Sequence, residues 1–189
     1  MRRLTTKQEE AKKKKRNSLI IGIVLVFVML FSVLGYSFMG QEKEEDSQKV
    51  IYNGFEFNNL YGYWDLTIGN SQFLFKYNPE EVEKINSELN TLESYYQKPL
   101  YISSENQEAE YEVYKNLNNI VLRSQNACFD EQNCEEGLPV KTCADNFIII
   151  REAPISNIAQ EENCVFISGL QENLTRITDE FLFKIIGVE

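Results

Sequence analysis

Leu19-Ile-Ile-Gly-Ile-Val-Leu-Val-Phe-Val-Met-Leu-Phe31 is the stretch that decides how this chain is organised. Apolar residues continue through Val33, Leu34, Tyr36 and Phe38 to Met39, and no charged residue occurs between Arg16 and Glu42. A helix rises about 1.5 Å per residue, so roughly 20 such residues cross a hydrocarbon core of about 30 Å. The sequence therefore predicts a transmembrane helix over 18–40. Before it stand Arg2, Arg3, Lys7, Lys12, Lys13, Lys14, Lys15 and Arg16 against Glu9 and Glu10, a balance of +6; the rest of a chain whose net charge is −10 carries −16. Lys and Arg collect on the cytoplasmic side of a span. Residues 1–17 are thus expected to be a basic cytoplasmic segment, with the C-terminal part outside the cell membrane. Tyr36 and Phe38 fall at the outer boundary, where aromatic rings are favoured.

The same stretch has two other readings. A cleaved signal peptide has a shorter apolar core of about 7–15 residues and a small-residue cleavage site. Val33-Leu34-Gly35 offers such a site, but the run continues past it to Met39, which suits a retained anchor. A pilin-type leader carries Gly or Ala before the apolar helix and an acid just inside, whereas Asn17-Ser18-Leu19 has neither. No Cys lies in or just after the span, which excludes a lipoprotein site. The Lys12–Arg16 cluster reads as a topology signal that also attracts anionic lipid.

Outside the span, Gln41-Glu-Lys-Glu-Glu-Asp-Ser-Gln48 begins an acidic tether over 41–49, followed by residues 50–189, one domain of ordinary size. Its acidity argues against nucleic acid as a partner. All four cysteines, Cys128, Cys134, Cys143 and Cys164, lie in this part. An even count in an oxidising compartment reads as two disulfides. The spacing lacks the C-x2-C knuckles of a zinc site and the C-x-x-C of a redox site. Of three connectivities the sequential one closes the shortest loops, although the sequence alone does not select it. Cys143 precedes the strand Phe147 to Arg151, and Cys164 begins the strand Cys164 to Ser168. Bonded cysteines need Cα atoms within about 7 Å, so sequential pairing makes those two strands roughly parallel.

The fold class expected for 50–189 is α+β: an antiparallel β-meander, then alternating strands and helices. Val50 to Phe57 reads as a first strand. Tyr63 to Ile68 and Phe73 to Tyr77 alternate with period 2 around a Gly69-Asn70 hairpin signal. Asn78-Pro79-Glu80-Glu81 has the signature of a helix start, and Val82, Ile85, Leu89 and Leu92 follow at helical spacing. After Pro99 come a strand Leu100 to Ser103 and a helix from about Gln107 to Ala127, with Val113, Tyr114, Leu117, Ile120 and Val121 on its buried face. A connection holding Pro154 joins the last two strands. A final helix from about Glu172 places Leu174, Ile177, Phe181 and Ile185 inward and stops at Gly187.

The chain resembles a group of uncharacterised single-pass membrane proteins of archaea with small genomes. The residues that carry the likeness are the basic start, the span, Tyr52-Asn-Gly-Phe-Glu-Phe57, Tyr63-Trp64, Leu138-Pro-Val-Lys-Thr-Cys143, Asn163-Cys-Val-Phe-Ile-Ser-Gly169 and Asp179-Glu-Phe-Leu-Phe-Lys-Ile-Ile-Gly187. The resemblance covers most of the chain and implies an archaeal surface protein. It supplies no activity, cofactor or site residue.

Catalytic chemistry finds little footing. There is no His, which removes the commonest general base, the usual zinc ligand and every His-dependent nucleophile. Neither a cofactor nor a metal site is expected. Glu56 and Asp65 on neighbouring strands are the one candidate carboxylate pair for hydrolysis, against a solvated hairpin face. Asp130, Glu131, Glu135 and Glu136 lack calcium-loop spacing and read as a solvated loop. Tyr61, Tyr63 and Trp64 offer an interaction surface, against plain core packing. Asn173-Leu174-Thr175 is a glycosylation acceptor or a helix cap. The expectation is a non-enzymatic, membrane-anchored extracytoplasmic domain that binds another membrane or surface protein. A small-molecule or carbohydrate-binding domain and a carboxylate-based hydrolase are the alternatives.

Overall fold

In the computed structural model the chain is described over residues 7–39, 48–129, 134 and 136–188. It divides into two units, 1–46 and 47–189. The first is a helix, α1, Lys7–Met39, so most of the basic segment is helical as well. Within it Lys14–Ser32 is long and apolar enough to cross a membrane, and its side chains from Leu19 to Phe31 are exposed. The tether over 41–47 and the side chains of Tyr36 and Phe38 lie outside the described residues.

The second unit begins with a four-stranded antiparallel sheet: β1 Lys49–Tyr52, β2 Phe55–Leu60, β3 Tyr63–Ile68 and β4 Ser71–Phe75, in that spatial order. The expected strand Val50 to Phe57 is two strands. Asn53 and Gly54 sit at φ 46° and 85°, the paired positive values of a two-residue hairpin turn, and Tyr61-Gly62 repeats the device at 53° and 84°. The Gly69-Asn70 hairpin forms as read, with Ile68 opposite Ser71. Phe57, Trp64, Leu66, Phe73 and Phe75 share the buried face.

The helix expected after Asn78 is absent. Asn78-Pro79-Glu80-Glu81 closes one turn: the Glu80 N–H donates to Asn78 Oδ1, and the Asn78 N–H to Glu81 Oε2. The chain then runs irregularly to a single 3-10 turn, Leu92–Ser94. Tertiary acceptors replace the helical ladder here. The Tyr77 N–H is taken by Asp179, the Ile85 N–H by Glu180 and the Asn90 N–H by Gln160. With Val82 and Ile85 buried along that path, the segment satisfies its backbone without coiling.

The second sheet contains β5 Pro99–Ser104, β6 Arg123–Asn126, β7 Asn146–Glu152, β8 Asn157–Glu161 and β9 Cys164–Gly169, in the order β6-β5-β7-β9-β8. All neighbours are parallel except β8 and β9. Helix α2, Gln107–Leu117, starts where expected, capped by Asn106, whose side chain accepts the Ala109 N–H. It ends ten residues short of Ala127, and the chain re-enters the sheet as β6. The connection after Pro154 likewise holds an unexpected strand, β8. Cys143 joins Cys164 and Cys128 joins Cys134, with Cα separations of 4.8 and 5.4 Å. Phe147 lies opposite Cys164 in a parallel pair, as sequential pairing demanded.

Helix α3, Leu174–Ile186, packs against α2, β7, β8 and β9, while Phe183 meets Phe57 and Phe75 of the first sheet at 5.7 and 4.5 Å. Helix α3 therefore lies between the two sheets, and its Asp179, Glu180 and Thr178 are buried along with the apolar stripe. Gly187, at φ 79°, ends the helix, its N–H bonding Lys184 O and the Val188 N–H bonding Phe183 O. The other face of the second sheet carries a smaller core of Tyr101, Phe147, Ile149 and Phe166. Phe129, beside Cys128, packs on Phe147 and Phe166 at 6.0 and 5.7 Å. Cys143–Cys164 ties the chain on that side to β9, and Cys128–Cys134 closes a short loop beside Phe129.

Candidate functional site: the groove between α2 and β6

Each edge strand of a sheet exposes backbone donors and acceptors that some partner must satisfy. Side chains reach all four edges, and at one of them, β4, they bond the strand's own backbone. At β4, Asn116 of α2 accepts the Leu74 N–H and donates to the Leu74 carbonyl, both at 2.8 Å. At β8, Gln160 accepts the Asn90 N–H. At β1, the Lys84 ammonium lies 4.8 Å from the Tyr52 ring centre. The fourth, β6, pairs with β5 alone among the described strands, and its residues Arg123, Gln125 and Asn126 are exposed.

Beside β6 runs a groove of about 510 Å³, bounded by α2 and floored by Ile102. Tyr111 and Tyr114, three residues apart on α2, stand in its wall and are about half exposed. Glu110 accepts a 2.8 Å hydrogen bond from Asn126 across one end, and Ser124 donates to Asn118. Lys115 extends the surface toward the first sheet. Its ammonium bonds Glu112 at 2.7 Å and lies 4.4 Å from the Tyr63 ring centre and 5.6 Å from that of Tyr111. A second depression, about 740 Å³, shares Ile102, Gln107, Glu110 and Asn126 and continues around the carboxyl ends of β5 and β7. Arg151 there is already committed: its guanidinium bonds Ser103 O, Ile150 O and Ser103 Oγ and lies 3.5 Å from Glu105.

The aromatic residues singled out in the sequence do not form one platform. Trp64 is 5 % exposed and belongs to the core, Tyr61 is 90 % exposed at a hairpin tip, and Tyr63 lies between them in exposure. Only Tyr63 is brought to the α2 surface. Glu56 and Asp65 are likewise separate in function. Lys49 hydrogen-bonds Glu56 and holds its carboxyl below the usual range. Asp65 is buried, not solvated as expected, and accepts a bond from Gln72. An acid-base pair needs two carboxyls pushed apart in affinity, one of them upward, whereas the Lys49 ammonium holds Glu56 downward. Of the acidic loop, Asp130, Glu131 and Glu135 lie outside the described residues. Asn173 sits at the start of α3 with no side-chain cap bond, and Thr175 is buried, its hydroxyl bonded to Glu108.

The groove residues Tyr111, Tyr114 and the strand β6 had not been recognised as a unit. Helical spacing sets Tyr114 on the buried face with Val113 and Leu117, but it is half exposed and faces the groove instead, and Arg123-Ser-Gln-Asn126 has no apolar alternation to announce a strand. No protein-family model, curated protein or solved structure matches this chain.

Proposed function

We propose that this protein is a non-enzymatic, membrane-anchored extracytoplasmic domain that captures an extended peptide of another membrane or surface protein along β6. The open edge of β6 beside the tyrosine-walled groove carries the proposal. A strand edge is satisfied by another backbone, and a groove alongside it receives alternate side chains. Tyrosines suit such a wall, combining a large apolar body with a polar tip at low entropic cost. Glu110 in the groove and the −16 charge beyond the span favour a peptide that carries Lys or Arg. Anchoring by the apolar helix, with the N-terminus cytoplasmic, confines the domain to a membrane surface and raises its effective concentration for partners there. Under the sequence resemblance, that surface is archaeal.

The test is photo-crosslinking of the full chain in native membranes from position 125, with position 67 on the first sheet as the control. A partner peptide crosslinked at 125 and lost in the Tyr111→Ala, Tyr114→Ala variant is the expected result. Equal labelling from both positions, or labelling that survives the tyrosine changes, refutes the site. A second reading, a small polar ligand or sugar at the carboxyl ends of β5 and β7, rests on the larger depression. Its position follows the rule for open parallel sheets. Arg151, the cation lining that depression among the described residues, is already engaged by Ser103, Ile150 and Glu105, which makes this the weaker reading.

A further inference from the structure

The helices α2 and α3 meet through carboxyl groups, which is unusual for a buried contact. Asp179 is fully buried on α3 and Glu112 is 2 % exposed on α2. Each has one oxygen accounted for: Asp179 Oδ2 accepts the Tyr77 N–H at 2.9 Å, and Glu112 Oε1 pairs with Lys115 at 2.7 Å. Each also has one buried oxygen, Asp179 Oδ1 and Glu112 Oε2, with no donor from elsewhere in the described protein. Helices α2 and α3 pack on one another, and Glu112 acts on the Asp179 carboxyl through its charge and side-chain hydrogen bonding. Two ionised carboxylates cannot satisfy each other there, whereas one proton between them satisfies both atoms.

We propose that Asp179 keeps its proton at neutral pH and donates it in a hydrogen bond to Glu112, that this bond bolts α2 to α3, and that the domain is consequently more stable in mild acid than in base. The surrounding charges support this assignment. Lys115 is the cation acting on Asp179, and it is already matched by Glu112. Other nearby ions are paired elsewhere: Glu108 with Lys76, and Glu180 with Lys84 and Lys184. From the second sheet, Ile148, Ile150, Ile158, Val165 and Ile167 bring only apolar groups to the same core. Burial, and then the Glu112 charge, push the Asp179 carboxyl well above the usual carboxylate range. The sign follows from linkage. A carboxyl whose native affinity for a proton exceeds its unfolded one contributes most at and below the unfolded value of about 3.9. Its contribution declines as pH rises through the native value.

This inference is independent of the peptide-binding proposal, and its test uses the full chain in lipid nanodiscs with disulfides intact. Thermal unfolding is followed from pH 5 to pH 9 for the wild type, Asp179→Asn and the exposed-charge control Glu88→Gln. An Asn amide still accepts the Tyr77 N–H and donates to Glu112 without needing a proton. The expected result is that Asp179→Asn raises Tm at pH 8 by about 4 °C or more and flattens the decline with pH, while Glu88→Gln keeps the wild-type slope. A lower Tm at pH 8 with an unchanged slope overturns the proposal. Should the variant not fold, infrared difference spectra of the wild type decide. A protonated-carboxyl carbonyl band at pH 7 that disappears in strong base supports the retained proton, and its absence at pH 7 removes it.

Discussion

Helices α2 and α3 are nearly equal in length, 11 and 13 residues, and pack on each other, yet their surroundings differ. Ten residues of α3 are buried and only five of α2. Helix α3 lies between two sheets, so even its polar positions face protein and become hydrogen-bond acceptors for the backbone of 77–85. Helix α2 lies at the side of the same sandwich, covers β5 with one face, and leaves Tyr111 and Tyr114 toward the groove at β6. Helices of similar length thus divide the work: one organises the fold, and the other presents a surface.

The largest effect that should separate them comes from Phe183, fully buried between the sheets. Phe183→Ala is expected to cost about 3–5 kcal/mol in denaturant unfolding. A cost below about 1 kcal/mol would break the view of α3 as the centre of the core. Next comes the cover on the far face of the second sheet. Replacing Cys143 and Cys164 by Ala should cost about 3 kcal/mol, and replacing Cys128 and Cys134 about 2 kcal/mol, because the first pair closes the longer loop, with a sequence separation of 21 against 6. Unfolding under non-reducing conditions reads the difference, and a reversed order would point to a more structural role for the shorter loop. Asn116 tests the one duty α2 shares with α3, that of pairing backbone. Asn116→Ala leaves the Leu74 N–H and carbonyl without their partner and is expected to cost about 2 kcal/mol. The smallest stability effect belongs to Tyr111→Ala with Tyr114→Ala, about 1 kcal/mol or less for partly exposed side chains, combined with loss of the crosslinked partner. A large stability loss there would make these tyrosines structural and the groove incidental.

Legibility followed the same division. The Gly69-Asn70 hairpin joins alternating aromatic strands, so local pairing and local pattern agree, whereas Tyr61-Gly62 shows itself as a turn only through its positive φ values. Asn53-Gly54 carried a hairpin turn signal and was absorbed into one strand because the apolar residues on either side run on through it. Leu174, Ile177, Phe181 and Ile185 announced α3, and the cysteine spacing led to the parallel pairing of β7 and β9. By contrast, the strong helix signature at Asn78-Pro79-Glu80-Glu81 was defeated by acceptors about a hundred residues away in sequence, on α3. Edge strands β6 and β8 carry few buried residues, and without a buried face a strand has no period to read. The candidate groove was illegible for the same reason: one of its walls is β6.

By itself the sequence determined the apolar helix and its charged flank, the meander, the last helix and the pairing logic of the cysteines. Each of these is written in neighbouring residues whose burial or turn geometry repeats over a short span. Only the tertiary structure decided that 82–91 stays uncoiled, that two polar segments become edge strands, that Asp179 meets Glu112, and that Tyr111 and Tyr114 face an open edge. Those outcomes depend on which distant donor or acceptor arrives to satisfy a buried polar group, and no local pattern encodes that.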